Sequence, residues 1–176
     1  PVHPLKRLTA RSERLMQLAR AEGGRLTLDA DSDLRDAVSV VVHDMNRTGQ
    51  QERIVLSVPD TPVLSPIDPD TVGILCRNLI DNALQHGGKD SPVEVSLSAS
   101  GELSVANGGP LVSPERLELL TRRFERNGSI GRGSGIGLSI VATIAERIGT
   151  RLDLSSPRPG HIDGFEARIK LSGSHR

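Results

Sequence analysis

Asn78-Leu79-Ile80-Asp81-Asn82-Ala83-Leu84-Gln85-His86 is the stretch from which the fold is read. Asp68-Pro69 opens it as a helix start, a capping side chain followed by proline in the first turn, and Gly87-Gly88 closes it. Within that helix Leu75, Leu79 and Ala83 fall on one side, which can be buried. Asn78 and Asn82 are four apart and share a second face, with Gln85 and His86 one turn further on. Amides and an imidazole are expensive to bury without partners. They suit a polyphosphate, because an amide oxygen can ligate Mg²⁺ and an amide N–H can donate to phosphate. A solvated polar face gives the same pattern, so the helix alone leaves both readings open.

Two further segments weigh on that choice. Asn127 to Gly137 is glycine-rich, and Gly133-Ser134-Gly135-Ile136-Gly137-Leu138 runs into a helix with Leu138, Val141, Ala142, Ala145 and Ile148 on one face, stopped by Gly149. Such a run brings backbone N–H groups close to phosphates and then presents the positive end of a helix. It lacks the Gly-Lys-Ser/Thr of a Walker loop, and it does not follow a first strand as a dinucleotide fingerprint does. The other segment is Val105-Ala106-Asn107-Gly108-Gly109-Pro110-Leu111, a strand ending in a tight turn. Asn107 there is either a plain turn former or a hydrogen-bonding group for an adenine edge.

Outward from these motifs, Leu5 to Glu22 reads as an amphipathic helix with Leu5, Leu8, Leu15, Leu18 and Ala19 on its apolar seam, stopped by Gly23-Gly24. A short strand follows at Leu26 to Asp29. A helix carries Leu34, Ala37, Val38, Val41, Val42 and Met45, capped by Ser32 or Asp33 and stopped by Gly49. Strands are predicted at Ile54 to Val58, Val93 to Leu97, Leu103 to Val105, Arg151 to Leu154 and Phe165 to Leu171, and a short helix at Ser113-Pro114-Glu115. The order gives an α/β fold, a mixed sheet covered on one face by helices and preceded by an N-terminal helix.

Composition narrows the function classes. Lys plus Arg and Asp plus Glu both number 22, and with no Trp, no Tyr and 2 Phe the chain lacks both the charge and the stacking platforms of a nucleic-acid binder. The single Cys76 sits among apolar neighbours as a small core residue. The chain starts inside a helical pattern without an initiator Met and reads as an excised fragment.

Taken in order, the motifs resemble the boxes of the histidine-kinase branch of the Bergerat-type ATPases, the superfamily of gyrase, Hsp90 and MutL. Asn78 to His86 is similar to the N box, Asn107 to Leu111 to the first glycine box, Arg123-Phe124-Glu125-Arg126 to the F box, and Gly133 to Leu138 to the second glycine box. Gly164-Phe165 matches the last box, and the resemblance covers about Leu26 to Leu171. It implies a two-layer Bergerat-type ATP-binding fold with ATP and Mg²⁺ as cofactors. By it Asn82 is the metal ligand, Asn78, Gln85 and His86 line the phosphate channel, and Asn107 and Gly109 lie at the base. Arg126 reaches the phosphates from the lid, and Gly133, Gly135, Gly137 and Leu138 cradle them. Asn78 and Arg126 are the residues assigned to catalysis. Residues 1–24 are similar to the end of a dimerisation and phosphoacceptor helix, 25–172 to the catalytic domain, and 173–176 form a tail.

In hydrolysing relatives a Glu four residues before the metal-binding Asn is the general base for water; here that position is Asn78, an amide that cannot take a proton. The resemblance therefore implies transfer of the γ-phosphoryl group to a histidine, then to a response regulator, in a homodimeric inner-membrane parent whose catalytic end is cytoplasmic. Two departures stand out. Asn107 replaces the usual Asp, and Leu111 replaces a glycine, which implies a modest nucleotide affinity and blurred selectivity for adenine over guanine. No phosphoacceptor box is present: His3-Pro4-Leu5-Lys6 lacks the acidic neighbour, and His43, His86, His161 and His175 sit elsewhere. A non-catalytic nucleotide sensor, a serine kinase of the anti-sigma-factor type and a domain that binds no nucleotide are the competing readings.

Overall fold

The computed structural model describes residues 4–49, 53–125 and 135–172. Its elements are α1 (Pro4–Gly23), β1 (Thr27–Asp33), α2 (Leu34–Thr48), β2 (Ile54–Ser57), β3 (Leu64–Ile67) and α3 (Pro69–His86). They continue as β4 (Val93–Leu97), β5 (Glu102–Asn107), α4 (Pro114–Glu125), α5 (Gly135–Ile148), β6 (Leu152–Ser155) and β7 (Phe165–Lys170).

Five strands form a mixed sheet in the order β2-β4-β5-β7-β6, with β2 and β4 parallel and the other pairs antiparallel. Alternation decides which face is covered. Val93, Val95, Leu97, Leu103, Val105, Phe165, Ala167 and Ile169 are buried with Leu75, Leu79, Leu138, Ile140 and Ile144 of α3 and α5. Residues between them, such as Glu94 and Ser104, are more exposed. The expected layering of a mixed sheet under helices is what the chain forms.

Local chemistry explains the element boundaries. Asp33 caps α2 by accepting from the Arg35 backbone N–H at 3.0 Å. It also accepts from Val63 N at 3.1 Å and pairs with the Arg35 guanidinium at 2.9 Å. That pair, with the backbone bonds, holds the Asp33 carboxyl down at about 2. Asp68 caps α3 through Asp70 N, with Pro69 in the first turn, and Gly87 ends it.

Three features differ from the sequence reading. β3, unpredicted, pairs with β1 in a separate two-stranded sheet; Pro62 and Pro66 punctuate that stretch, and a proline fits only an edge strand of this kind. Ser65 at its centre is buried and donates to Leu171 O at 2.6 Å, tying the small sheet to the end of β7. α5 begins at Gly135, so Gly135 and Gly137 belong to a helical first turn rather than to the loop before it. Its Ile140 and Ile144 are buried along with Leu138, Val141, Ala145 and Ile148, because α5 packs against α1, α3 and α4 as well as the sheet, while Ala142 is half-buried. On α1, Ala21 is buried and Leu18 packs on the core, but Leu15 is 51% exposed and Ala19 is exposed, so the leucine seam is only partly used. The side chains of Leu5 and Leu8 lie outside the described residues.

Candidate nucleotide site

Helix α3 carries the N-box side chains along one flank. Asn78 is 2% exposed, Asn82 half-buried, and Gln85 and His86 at the C-terminal end are exposed. The Asn78 amide nitrogen donates to Ile74 O at 2.8 Å and to Gln17 Oε1 of α1 at 3.1 Å. Both hydrogens of that amide are therefore used, and Oδ1 is the atom left for other partners. It faces the start of α5: a Cβ added to Gly137 would stand 3.2 Å from it. The glycine is what lets the first turn of α5 lie this close to the N-box helix.

Asn107, at the end of β5, lies in register with Val93 on one side and Phe165 on the other, and is 3% exposed. Its amide nitrogen donates to Gly108 O at 2.9 Å, and its Oδ1 is buried without a partner among the described residues. A buried acceptor left open is costly unless something supplies a donor. The turn after it is tied on both sides. Gly88 N donates to Gly108 O at 3.3 Å, and Gly164 N donates to Gly109 O at 2.9 Å. Gly109 and Gly164 have φ of +125° and +84°, and a Cβ on Gly164 would come within 2.5 Å of Asn107 O. Both positions need glycine for backbone reasons.

Sequence reasoning missed two contributors. Arg53 donates to Gly88 O at 2.8 Å and Ser91 O at 3.2 Å, fixing the loop after α3. Gln17 reaches Asn78 across 61 residues of sequence, from a helix read only for its apolar seam. Asp81, beside Asn82, has its carboxyl pushed above the usual range by burial, against the pull of Arg14 and Arg77 and reinforced by Glu13.

The structure thus brings Asn78 next to Gly137, and Asn107 and Gly109 next to Gly87 and Gly88, with Asn82, Gln85 and His86 on the connecting helix. Leu138 is buried beneath the same turn of α5. Arg126, Gly133 and the lid from Asn127 to Gly133 lie outside the described residues. Among the described residues a groove of about 640 Å³ opens elsewhere, between α1, α2 and α3, lined by Val40, Ile74, Arg77 and neighbours. Asp36 and Asp70 line it beside Arg20 and Arg77, so carboxylates would face a polyphosphate there and it is the poorer candidate.

Neutral oxygens of Asn78 and Asn82, with no group of three or more His, Cys, Asp or Glu among the described residues, would not hold a bare divalent ion. They fit Mg²⁺ that arrives already bound to phosphate oxygens and keeps most of its own shell.

A mixed sheet backed by helices, with amides and glycine turns gathered along the C-terminal half of α3, defines a nucleotide-binding α/β domain. Residues 67–173 match the model of the histidine kinase-, DNA gyrase B-, and HSP90-like ATPase family, and the chain belongs to that family. Within it the chain stands with the ATP-binding catalytic domains of bacterial sensor histidine kinases. It is 33% identical over 169 residues to the sensor protein QseC of Escherichia coli strain K12, covering 94% of this chain and 37% of that protein. The chain therefore spans little more than a third of the length of this curated relative. It superposes on the mycobacterial sensor histidine kinase MprB with a TM-score of 0.62 at 26% identity, over 79% of this chain and 93% of that one. The cytoplasmic segment of histidine kinase QseC shares the fold over 99% of this chain and 98% of its own, with a TM-score of 0.60 at 24% identity.

Proposed function

We propose that this domain binds Mg²⁺–ATP at the α3 flank and donates its γ-phosphoryl group to a histidine on another part of a longer sensor kinase, from which a response regulator takes it. The observation that carries this reading is Asn78. It stands where a hydrolase of the family places its general base, yet it is a buried amide whose N–H groups are already donated to Ile74 O and Gln17 Oε1. Nothing at that position can take a proton from water, so hydrolysis is suppressed and ATP is conserved for transfer.

The roles follow from chemistry. Asn82, with no hydrogen-bond partner among the described residues, supplies an amide oxygen to the metal, and Asn78 Oδ1 stands one turn away. The metal, when bound, neutralises charge on the β- and γ-phosphates. Gln85 and His86 flank the phosphate path, and Asn107 Oδ1 accepts from the adenine amino group. The α5 start at Gly135 and Gly137, with Gly133 and Arg126, presents donors to phosphate oxygens. Catalysis is then positioning plus charge stabilisation, with the nucleophile supplied by the acceptor histidine.

Incubation with γ-³²P-labelled Mg²⁺–ATP tests it. The chain alone is expected to stay unlabelled, and an added phosphoacceptor helix bundle from the parent to gain acid-labile phosphate. Acid-labile label on the isolated chain, with His3 as first suspect, contradicts the proposal. ATP binding with no transfer to the bundle favours the non-catalytic sensor.

A further inference from the structure

α1 packs on α5 and reaches across to α3 through its side chains, running in the opposite direction to it. Arg20 pairs with Asp68 and Asp70 at the start of α3, each at 3.4 Å, and Gln17 meets Asn78 in the middle. Arg147 of α5 anchors the end of α1 by donating to Ala21 O at 2.7 Å and Gly24 O at 2.8 Å. Gln17 and Arg20, three apart on α1, therefore face the N-box helix, while Ala21 O turns to Arg147 of α5.

From this contact we infer that Gln17 is a positioning residue that makes Asn78 an acceptor-only group toward the nucleotide site, linking that site to the seating of α1. Ile74 O can only accept, so the Asn78 atom 2.8 Å from it is the amide nitrogen, whichever way the network is drawn. Gln17 Oε1 takes the second hydrogen of that nitrogen. Asn78 then has no donor left for a phosphate oxygen, and Oδ1, beside Gly137, is matched to a cation or its bound water. Were α1 to move off α3, one N–H would be released and the amide could turn, pointing a donor where the metal shell needs an acceptor. The inference rests on the proposed nucleotide site and adds to it a residue from outside the family motifs.

The test compares Gln17→Glu with Gln17→Met in the full chain, beside Asn78→Ala. Affinity for a non-hydrolysable ATP analogue is measured by calorimetry with and without Mg²⁺. Glutamate keeps the acceptor, whereas methionine keeps the length and apolar packing and loses the acceptor. A packing role favours Met over Glu; an acceptor role favours Glu over Met. Gln17→Glu is expected to bind within about twofold of the native chain, and Gln17→Met about three- to tenfold more weakly in Mg²⁺, the range of one neutral hydrogen bond. Without Mg²⁺ the three should agree. In ¹⁵N spectra the Asn78 side-chain NH₂ pair should keep its native positions in Gln17→Glu, and one proton should shift upfield in Gln17→Met. If Asn78→Ala weakens Mg²⁺-dependent binding while Gln17→Met does not, the inference is overturned and the site stands. If Asn78→Ala has no effect on binding, the site assignment itself falls, and the inference with it.

Discussion

Replacing Asn107 with Asp separates base recognition from fold stability, because the two amide atoms of Asn107 do different things. The nitrogen donates to Gly108 O at 2.9 Å, and Oδ1 is buried with no partner among the described residues. An adenine amino group supplies the donor that Oδ1 lacks; guanine presents a carbonyl there instead. Turning the amide to suit guanine breaks the Gly108 bond, about 1 kcal/mol, so the native chain should itself prefer ATP, against the blurred selectivity that an amide at this position first suggests. In Asn107→Asp a carboxylate oxygen faces the Gly108 carbonyl, whether nucleotide is bound or not. That conflict therefore lowers stability, by about 1–3 kcal/mol, and largely cancels from affinity. Exchanging a neutral acceptor for a charged one strengthens the bond to adenine by on the order of 1 kcal/mol, or about fivefold in affinity. Burial raises the new carboxyl's pKa, so the gain grows as pH rises through it. The expected result is a lower melting temperature together with tighter ATP binding and a larger ATP-to-GTP ratio at pH 8 than at pH 6, read by thermal melts and calorimetry. An ATP-to-GTP ratio identical in the two proteins refutes the placement of Asn107 at the base and leaves it a turn residue.

Asn82→Ala should remove the Mg²⁺-dependent part of nucleotide binding and leave the melting temperature unchanged, since the side chain is half-buried and bonds to nothing among the described residues; equal Mg²⁺ dependence would put the metal elsewhere. Gly164→Ala should cost about 1–2 kcal/mol in denaturant unfolding for a side chain at φ +84°, and more as its Cβ pushes on Asn107 O, with weaker ATP binding following. A neutral mutant would mean that the turn yields freely. Asp33 has a folded-state pKa of about 2 against an ordinary 3.8, so its contribution to stability is present above 3.8 and is lost as pH falls through 2. Urea melts across that window should show Asp33→Asn losing less stability on acidification than the native chain; parallel losses would remove Asp33 from the acid sensitivity.

The helices were legible because their ends carry their own chemistry. Asp68-Pro69 caps as read, Asp33 is the one of the two read candidates that caps α2, and Gly87 and Gly49 end the helices as read. β4, β5 and β7 were legible from alternation, since one of their faces meets helices. β3 was not, because Leu-Ser-Pro-Ile holds a proline and a buried serine whose hydroxyl is satisfied 106 residues away at Leu171. The site followed the same rule. Side chains that share a helix face, Asn78 and Asn82, were visible from spacing, and Asn107 from its place at a strand end. That Asn78 would be buried, with its donors spent on Ile74 and Gln17, depends on where α1 docks, and no local pattern encodes it. Arg53, which braces the loop after α3, was silent for the same reason.

The central claim, a Mg²⁺-assisted ATP site on the α3 flank, is tested most directly by titrating the isotopically labelled chain with a non-hydrolysable ATP analogue, with and without Mg²⁺, and following side-chain and backbone amides by NMR. The account predicts saturable one-to-one binding, tighter with Mg²⁺, with the largest shifts at Asn78, Asn82, Asn107, Gly109 and Gly137. Shifts that instead cluster at Val40, Ile74 and Arg77 in the α1–α2–α3 groove, or no saturable binding at all, would contradict it.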